Sequence, residues 1–395
     1  MSNQDSVVIV AGARTPMGGF MGSLSTVSAP ELGAIAIAEA VKRAGLQPAD
    51  VQEVIMGNVL SAGLRQGPAR QAMRQAGLPD STGATTINKL CGSGMKATMM
   101  AHDAIKAGSV DVAVAGGMES MSKAPYLLEN ARGGYRMGHG DQAKDHMFFD
   151  GLEDAETGKL MGAFAQEMAD SKSYTREQMD NYAIRSLNRA KDAIDKGLNT
   201  AEIVAVTVKS RRGETLVEQD EQPHNANIEK IPSLRPAFSK TGTITAANAS
   251  SISDGASALV LMSESAAKAK GAQPIARIVA HSTQSQHPSE FTVAPCGAIE
   301  TLLAKAGWSK DDVDLFEINE AFAMVAMMPI DALGLDAEKV NIYGGACAQG
   351  HPVGSTGSRL IVTLMNALKN TGGKKGIAAL CIGGGEATAV AIEMI

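Results

Sequence analysis

The sequence predicts an α/β fold built from two similar halves, with a separate region inserted between them. Short apolar segments of strand length alternate with helical patterns near both ends of the 395-residue chain, which is typical of buried sheets covered by helices. A chain of this length exceeds what one ordinary core supports, so we expect several packed units. An internal repeat supports two halves, because Ala44-Gly45-Leu46 with Asp50-Val51 is echoed at the same spacing by Ala306-Gly307-Trp308 with Asp312-Val313.

The first half alternates strands and helices, with glycines at the ends of the elements. Val7–Val10 is an apolar run that predicts a buried strand, and the turn Arg14-Thr15-Pro16 follows it. A helical pattern with one apolar face then runs to Gly45, which stops it. The next predicted elements are a strand, a helix and a strand ended by glycines: Val51–Val59, Lys96–Lys106 and Val110–Ala115 with Gly116-Gly117.

The middle of the chain, from Met118 to Ser250, is richer in charged and polar residues and predicts the inserted region. It contains one strongly signalled helix, because Thr175 and Gln178 form a capping box and Gly197 follows the helical pattern. The predicted division is 1–120 with 250–270 for the N-terminal half, 121–249 for the inserted loop domain and 271–395 for the C-terminal half.

Composition excludes several classes of function. The net charge is −6, whereas a nucleic-acid-binding surface is basic. The polar start lacks a secretory signal, and the apolar runs are too short to span a membrane, so we expect a cytoplasmic protein without membrane partners. Four cysteines without a Cys-x-x-Cys pair indicate free thiols in a reducing compartment. The seven histidines are scattered without a His-x-x-x-His pair, so no metal site is predicted.

Cys91 is the first candidate for catalysis. It lies in Asn88–Ala97, at a predicted loop-to-helix junction flanked by glycine. A helix N-terminus carries free N–H groups and partial positive charge, which lowers a thiol pKa and favours the thiolate that attacks carbonyl groups. Considered alone, a free cysteine is more often a buried structural residue.

Three further candidates occupy glycine-rich turns or the ends of elements. His351, in Gly344–Gly357, precedes a predicted helix and is suited to take a thiol proton or to polarise a thioester carbonyl. Cys381 follows a predicted strand and precedes glycines whose backbone N–H groups are suited to stabilise an oxyanion. Asn319 ends another predicted strand. Each also has a purely structural interpretation: a packed histidine, an inert cysteine and a helix N-cap.

Together these segments resemble the signatures of the thiolase family, in the family's order and over nearly the whole chain. The matching segments are Arg14-Thr15-Pro16, Asn88–Ala97, Gly116–Ser122, Asn319–Ala323, Gly350-His351-Pro352 and Cys381–Gly385. Such ordered matches favour catalytic over structural roles for the four candidates, while Cys296 and Cys347 keep the structural interpretation. The resemblance implies a five-layered α-β-α-β-α fold of two duplicated mixed-sheet halves plus an inserted loop domain.

The resemblance implies an acetyl-CoA C-acetyltransferase that condenses two acetyl-CoA into acetoacetyl-CoA and CoA, or cleaves a 3-ketoacyl-CoA, with no bound cofactor. Cys91 would accept the acyl group after His351 activates its thiol, and Cys381 would take the α-proton of the second acetyl-CoA. Both thioester oxygens gain charge, so two oxyanion sites are needed. By resemblance, His351 and a water held by Asn319 form one, and the backbone N–H groups of Cys91 and Gly383 form the other.

The resemblance also places coenzyme A against the inserted region. Ser250 matches a serine that contacts the pantetheine arm, and Met161 matches a methionine that lines the acyl pocket. Leu160 stands where short-chain biosynthetic members usually have histidine, and His224 lies where they often carry an arginine that faces the nucleotide. Two further departures are Gln349 and Glu386.

Several alternatives stay open or are disfavoured at this point. A degradative 3-ketoacyl-CoA thiolase for longer chains stays open, because Leu160 makes the acyl pocket less polar. A decarboxylating condensing enzyme is disfavoured, since such enzymes lack the Cys381 signature. A catalytically silent lipid-binding protein would have lost a catalytic residue, whereas all four are present. The family forms dimers and often tetramers, so we expect a homodimer or homotetramer.

Overall fold

The strands and helices alternate along the chain, as the sequence predicts. The computed structural model describes residues 5–139, 142–211 and 213–395. The strands are β1 (Val7–Arg14), β2 (Gly18–Gly19), β3 (Glu53–Gly57), β4 (Gly83–Ile87), β5 (Val112–Ser120), β6 (Tyr126–Leu127), β7 (Lys144–Asp145), β8 (Val206–Ser210), β9 (Gly213–Val217), β10 (Ser253–Ser263), β11 (Ala276–Ser285), β12 (Leu315–Ile318), β13 (Lys375–Ile382) and β14 (Glu386–Met394). The helices are α1 (Ala29–Arg43), α2 (Pro68–Gln75), α3 (Ser93–Lys106), α4 (Met161–Ser171), α5 (Arg176–Asp195), α6 (Glu221–Asn225), α7 (Glu264–Lys270), α8 (Ala294–Ala306), α9 (Ala323–Leu333), α10 (Ala346–Gln349) and α11 (Val353–Thr371).

One ten-stranded mixed sheet runs through the described residues in the order β4-β3-β5-β10-β1-β11-β14-β13-β12, with β2 paired to β10. Its two parts meet at a short antiparallel contact between β1 and β11, where Val8 and Ile9 pair with Arg277 and Ala276. Each part contains parallel and antiparallel pairs: β3–β5 and β12–β13 are parallel, whereas β5–β10 and β13–β14 are antiparallel. The predicted mixed-sheet halves are therefore present.

The two parts of the sheet repeat the same topology. The series β1-β10-β5-β3 in the first part corresponds to β11-β14-β13-β12 in the second. The corresponding strands β1 and β11 each carry a register shift, between Ile9 and Ala11 in one and between Ile278 and Ala280 in the other. A bulge in the same place of two strands supports duplication more strongly than the sequence repeat does.

The helices and sheet parts form five layers, which confirms the predicted fold. Helices α1 and α2 cover the outer face of the first part, and their apolar side chains, such as Leu32, join its core. Helices α3 and α11 lie between the two parts, and Met95 and Leu360 share one core with strands of both. Helices α8 and α9 cover the outer face of the second part through residues such as Leu302 and Met324.

Most predicted elements form, and their ends show where sequence patterns mislead. Thr175 accepts a hydrogen bond from the Gln178 backbone N–H, so the predicted capping box starts α5. The predicted strand end at Gly116-Gly117 is wrong, because β5 continues to Ser120. Glycine is needed there because backbone atoms of β10 and of the first turn of α11, at Gly354, approach closely and leave no room for a side chain.

A buried ion pair ties the middle of the chain to the first sheet part. The Arg14 guanidinium, at the end of β1, contacts the carboxylates of Asp220 at 2.7 Å and Glu202 at 2.6 Å. The domain division at 121–249 and 250–270 stays a prediction of the sequence. Among the described residues, no helix combines the length and apolarity that crossing a bilayer requires.

Candidate active site

A tightly bonded loop between β4 and α3 carries Cys91, two residues before the first residue of the helix. Leu90 adopts a left-handed conformation with φ 47°, which its neighbours stabilise. The Leu90 N–H donates to Asn88 Oδ1 at 2.9 Å, an Asx turn. Ser93 Oγ accepts from the Lys89 N–H at 2.8 Å and donates to the Leu90 carbonyl at 2.7 Å. The side chain of Cys91 therefore faces the cavity from a rigid turn.

The Cys91 thiol is less acidic than its position before a helix predicts. Burial raises its pKa to about 11, although the backbone N–H groups of Gly383 and of Cys91 itself oppose the shift. The carboxylate of Glu119 raises the pKa further. The expectation of a lowered pKa is therefore wrong, because desolvation outweighs the helix N-terminus. At neutral pH Cys91 carries its proton, so the site needs a base to remove it.

His351 lies two residues before α11 and supplies such a base. Its Nδ1 is 2.6 Å from the Thr356 hydroxyl, which itself donates to the Pro352 carbonyl at 3.0 Å. With the hydroxyl proton engaged there, Thr356 accepts from an Nδ1–H group, and Nε2 carries the lone pair. Burial and the charge of Arg359 lower the pKa of His351 to about 3, so the ring is neutral. A neutral imidazole whose Nε2 carries a lone pair is able to accept a thiol proton.

Asn319 adjoins this lone pair at the end of β12. Its Nδ2 lies 3.5 Å from His351 Nε2, and its backbone N–H donates to the Ala379 carbonyl at 2.9 Å. The structural alternative of a helix N-cap is wrong, because α9 begins at Ala323 with Phe322 as its N-cap. The buried Oδ1 of Asn319 has no hydrogen-bond partner among the described residues. A buried unpartnered amide oxygen is suited to hold a water or a substrate group.

Cys381 is fully buried near the end of β13. Burial and then the neighbouring Cys91 raise its pKa well above the ordinary value, so it too is a thiol at rest. The next turn contains Gly384 and Gly385, both with positive φ, and it reverses the chain into β14. Gly383 in this turn directs its backbone N–H at the Cys91 sulfur. The two cysteines and this N–H group therefore converge.

A cavity of about 370 Å³ joins these groups, and its walls are mostly apolar. Cys91, His351 and Gly383 line it, whereas Cys381 and Asn319 lie behind the wall. The remaining walls come from the inserted region, from Ser250 just after it, and from the segments before α8 and α9; they include Met121, Phe148, Leu152, Leu160, Met161, Phe238, Ala249, Phe291 and Phe322. An apolar cleft with few convergent polar groups is the form that small-molecule sites usually take.

Three of the four predicted binding residues line this cavity, namely Leu160, Met161 and Ser250. Leu160 is the N-cap of α4 and Met161 its first residue, which places both at the cavity wall. His224 does not line the cavity; its exposed imidazole lies 3.8 Å from the Asp195 carboxylate. Its role in binding stays a prediction.

A second cavity of about 320 Å³ adjoins the first, because Ala246 and Ser251 line both. It lies between α5 and the segment after α6, with Asn225 and Lys230 on its wall. Lys230 brings a positive charge to this space. The two cavities together form an apolar cleft that continues into a less apolar one with a basic side chain.

The structure also contains site residues that the sequence patterns did not single out. Thr356 orients His351, yet a threonine one turn into a helix carries no sequence signal of its own. Glu119 accepts hydrogen bonds from the Val59, Leu60 and Gly354 N–H groups, so it joins the segment after β3 to the first turn of α11. Its place in the Gly116–Ser122 signature is the only sequence signal for this role.

The fold and the two cysteines at the cleft are those of an acyl-transfer enzyme, and comparison with known sequences identifies its family. The thiolase N-terminal domain matches residues 7–265 and the thiolase C-terminal domain matches residues 272–394. The chain belongs to the thiolase family.

Relatives match over the whole length of the chain. Acetyl-CoA acetyltransferase 2 of Arabidopsis thaliana is 49% identical over 100% of this chain and 98% of its own. Cytosolic acetyl-CoA acetyltransferase of Mus musculus is 48% identical over 99% of both chains. The crystal structure of a thiolase from Ascaris suum in complex with coenzyme A superposes with a TM-score of 0.93, at 41% identity over 99% of this chain and 100% of that one.

Proposed function

We propose that the protein is an acetyl-CoA C-acetyltransferase, which condenses two acetyl-CoA into acetoacetyl-CoA and CoA and catalyses the reverse thiolysis. The observation that carries this proposal is the convergence of Cys91, His351 and the Gly383 N–H group at one end of an apolar cavity, with Cys381 beside them. Full-length relatives named acetyl-CoA acetyltransferase support the acetyl substrate.

The first half-reaction transfers an acetyl group to Cys91. The Cys91 thiol gives its proton to His351 Nε2 while the sulfur attacks the thioester carbonyl. The resulting oxyanion accepts hydrogen bonds from the backbone N–H groups of Cys91 and Gly383. The carbon–sulfur bond to CoA then breaks. Because Cys381 is a thiol at rest, it is able to give its proton to the leaving CoA thiolate.

The second half-reaction uses the thiolate that the first one leaves on Cys381. This thiolate takes the α-proton of a second acetyl-CoA, and the carbanion attacks the acetyl group on Cys91. The enolate oxygen is stabilised by protonated His351 and by a water on the unpartnered Asn319 Oδ1. Cys91 leaves as a thiolate and recovers its proton from His351. Cys91, His351 and Cys381 all recover their starting protonation states, because the α-proton replaces the proton that Cys381 gave to CoA. The cycle therefore balances without a bound cofactor.

Coenzyme A would extend from the first cavity, which would hold its thioester end, into the second. Its pantetheine would pass Ser250, and its phosphates would lie near Lys230. The Ascaris suum thiolase that binds coenzyme A supports this ligand class. His224 would face solvent near the nucleotide, beside Asn225 on the wall of the second cavity.

A second candidate, a degradative 3-ketoacyl-CoA thiolase for longer acyl chains, is favoured by one observation. Leu160, where short-chain members usually have histidine, lines the cavity among Phe148, Leu152 and Phe238. These walls would accept a longer apolar acyl chain. For either candidate function, we propose a cytoplasmic enzyme of fatty acid metabolism that forms a homodimer or homotetramer. The cytosolic mouse relative supports the cytoplasmic location.

Thiolysis with free CoA, measured on acetoacetyl-CoA and on longer 3-ketoacyl-CoA substrates, tests the proposal. We expect kcat/KM to be highest for acetoacetyl-CoA. A kcat/KM that rises with chain length would replace the first candidate by the second and give Leu160 a role in specificity. A folded protein without activity on any of these substrates would contradict both and favour a silent lipid-binding protein.

A further inference from the structure

Two histidines and an aspartate form a cluster where the C-terminal end of α3 meets β11. His102 and Asp103 are neighbours on α3, whereas His281 lies on β11, 178 residues after Asp103. His102 Nδ1 and His281 Nε2 each lie 2.9 Å from the same oxygen, Asp103 Oδ1. The two imidazole rings meet edge to face, with centroids 5.1 Å apart. The three side chains therefore point at a common centre.

This cluster is separate from the catalytic cleft. None of the three residues lines the first or the second cavity. Cys91 precedes the first turn of α3 and the cluster belongs to its last turns, roughly 15 Å along the axis at 1.5 Å per residue. The reaction proposed above makes no use of these side chains.

The accessibility of the cluster suits an ion that enters from solvent. The side chains of His102 and His281 are only 12% and 21% exposed, whereas that of Asp103 is 57% exposed. The imidazoles are thus held by packing, and the carboxylate between them is open to water. A binding centre with fixed nitrogen ligands and one solvent-facing side would keep a position for a water ligand.

The donor set favours a borderline transition-metal ion over Mg²⁺ or Ca²⁺. Two imidazole nitrogens with one carboxylate oxygen suit Zn²⁺, whereas hard ions prefer oxygen ligands. The three ligand atoms lie within 4.8 Å of one another. Bonds of about 2.0–2.1 Å in a tetrahedral site would hold ligand atoms roughly 3.3 Å apart, which small side-chain movements reach. Each imidazole would carry its proton on the nitrogen that faces away from the ion.

Two lysines oppose the binding of a cation and limit its affinity. Lys106 is close enough to lower the pKa of His102, after burial and His281. Its Nζ, however, donates to the Asp5 carbonyl at 2.7 Å, which holds it aside. Lys305 donates to the His281 carbonyl at 3.2 Å, on the backbone side of that residue. Neither lysine bonds to Asp103, so the carboxylate keeps its charge for the ion.

We propose that His102, Asp103 and His281 bind a divalent transition-metal ion of the Zn²⁺ class, which fastens α3 to β11. Because α3 starts at the Cys91 loop in one sheet part and β11 belongs to the other, the bound ion joins the two halves of the molecule. This inference goes beyond the proposed acyl transfer and does not depend on it.

Zinc binding by the full chain tests the proposal. The protein is stripped with a chelator, treated with iodoacetamide to block the cleft thiol, and titrated with Zn²⁺. We expect one saturable site per chain and a rise of about 2–5 °C in Tm at saturation. Co²⁺ should give a spectrum without a sulfur-to-metal charge-transfer band, since all ligands are nitrogen or oxygen.

Variants of the three side chains test whether they bind the ion. His281→Gln and Asp103→Asn should each weaken Zn²⁺ binding at least tenfold and abolish the rise in Tm. Asp103→Asn keeps hydrogen-bonding capacity at the same position, so an unchanged Tm of its metal-free form shows that folding is intact. His287→Gln removes another surface histidine and should bind Zn²⁺ like the unaltered chain. Absence of saturable binding, or equal binding by all variants, would overturn the proposal.

Discussion

The two halves of the molecule share one frame, yet they contribute different side chains to the proposed active site. In the N-terminal half, β3 and β5 pair from Glu53 and Ala113 onward; in the C-terminal half, β12 and β13 pair from Leu315 and Gly376 onward. These first pairs align the halves position by position. Any functional difference at aligned positions therefore comes from side chains and not from the fold.

The position four residues after Glu53 in β3, and four residues after Leu315 in β12, differs between the two halves. It is Gly57 in the N-terminal half and Asn319 in the C-terminal half. A methyl group on Gly57 would lie 2.5 Å from Ser93 Cβ and 2.7 Å from the Gly354 carbonyl oxygen, so no side chain fits there. The same position in the other half holds an amide beside His351. One half has no room for a side chain at this position, whereas the other holds the buried amide that we propose for an oxyanion site.

The neighbouring positions repeat the pattern. Five residues into the second strand, Met118 packs in the outer core of the N-terminal half, where the C-terminal half has Cys381. Cys91 and His351 each precede their central helix, α3 or α11, by two residues. In the proposed mechanism, the N-terminal half supplies the nucleophile, while the C-terminal half supplies the bases and the amide. The duplicated frame became a single site because the side chains at equivalent positions diverged.

The largest loss of activity should follow from replacing Cys91, the proposed nucleophile from the N-terminal half. Cys91→Ser should lower kcat/KM for acetoacetyl-CoA thiolysis by at least about 10⁴-fold, because a hydroxyl is far less acidic than a thiol. Cys296→Ser serves as the matched control, since Cys296 is only partly buried on α8 and does not line the cavity. We expect it to retain activity within about twofold. Equal losses in both variants would remove the assignment of Cys91.

A smaller loss should follow from disturbing the base in the C-terminal half. Thr356→Val removes the acceptor of the His351 Nδ1–H group, so the ring loses its fixed tautomer. We expect kcat to fall about 10- to 100-fold with little change in KM, and Thr356→Ser to restore most of it. The denaturation midpoint of each variant reports on folding. A Val variant as active as the Ser variant would show that this hydrogen bond does not matter.

Adding a side chain at Gly57, the position in the N-terminal half that corresponds to Asn319, should lower the stability of the protein. Gly57→Ala should lower the free energy of unfolding by about 1–3 kcal/mol through overpacking against Ser93 and Gly354. Gly133→Ala is the matched control, because its added methyl group would meet no atom closer than 3.9 Å. Urea denaturation midpoints measure both. A Gly57→Ala protein as stable as the control would mean that the frame tolerates a side chain there.

The smallest loss of activity should follow from breaking the ion pair that joins the two halves beside the cleft. Lys89, in the Cys91 loop, contacts Glu386, after the Gly383 turn, at 2.6 Å. Their side chains are 22% and 30% exposed, so Glu386→Gln should lower kcat/KM only about two- to fivefold. Asp80→Asn, which breaks the exposed pair with Arg74, should leave kcat/KM unchanged. Identical values for the two variants would rule out a linking role for the pair.

Sequence patterns predicted the frame, and they indicated the side chains that the structure brings together at the cavity, because both depend on local signals. Cys91, His351 and Cys381 each lie within two residues of a glycine near the end of an element, where periodicity breaks. What depends on burial or on distant contacts escaped prediction. The raised pKa of Cys91 follows from desolvation, and the cluster of His102 with His281 joins residues far apart in the chain.

Trapping the acyl-enzyme tests the central claim most directly. Cys381→Ala should slow acylation, because the leaving CoA thiolate loses its proton donor, but it should block removal of the α-proton altogether. Prolonged incubation with acetyl-CoA should therefore leave an acetyl group on Cys91, which peptide mass spectrometry locates. We predict a modified peptide containing Cys91 in this variant and none when Cys91→Ser is added. An acetyl group on another residue, or none on the folded Cys381→Ala protein, would contradict the division of roles between the two halves.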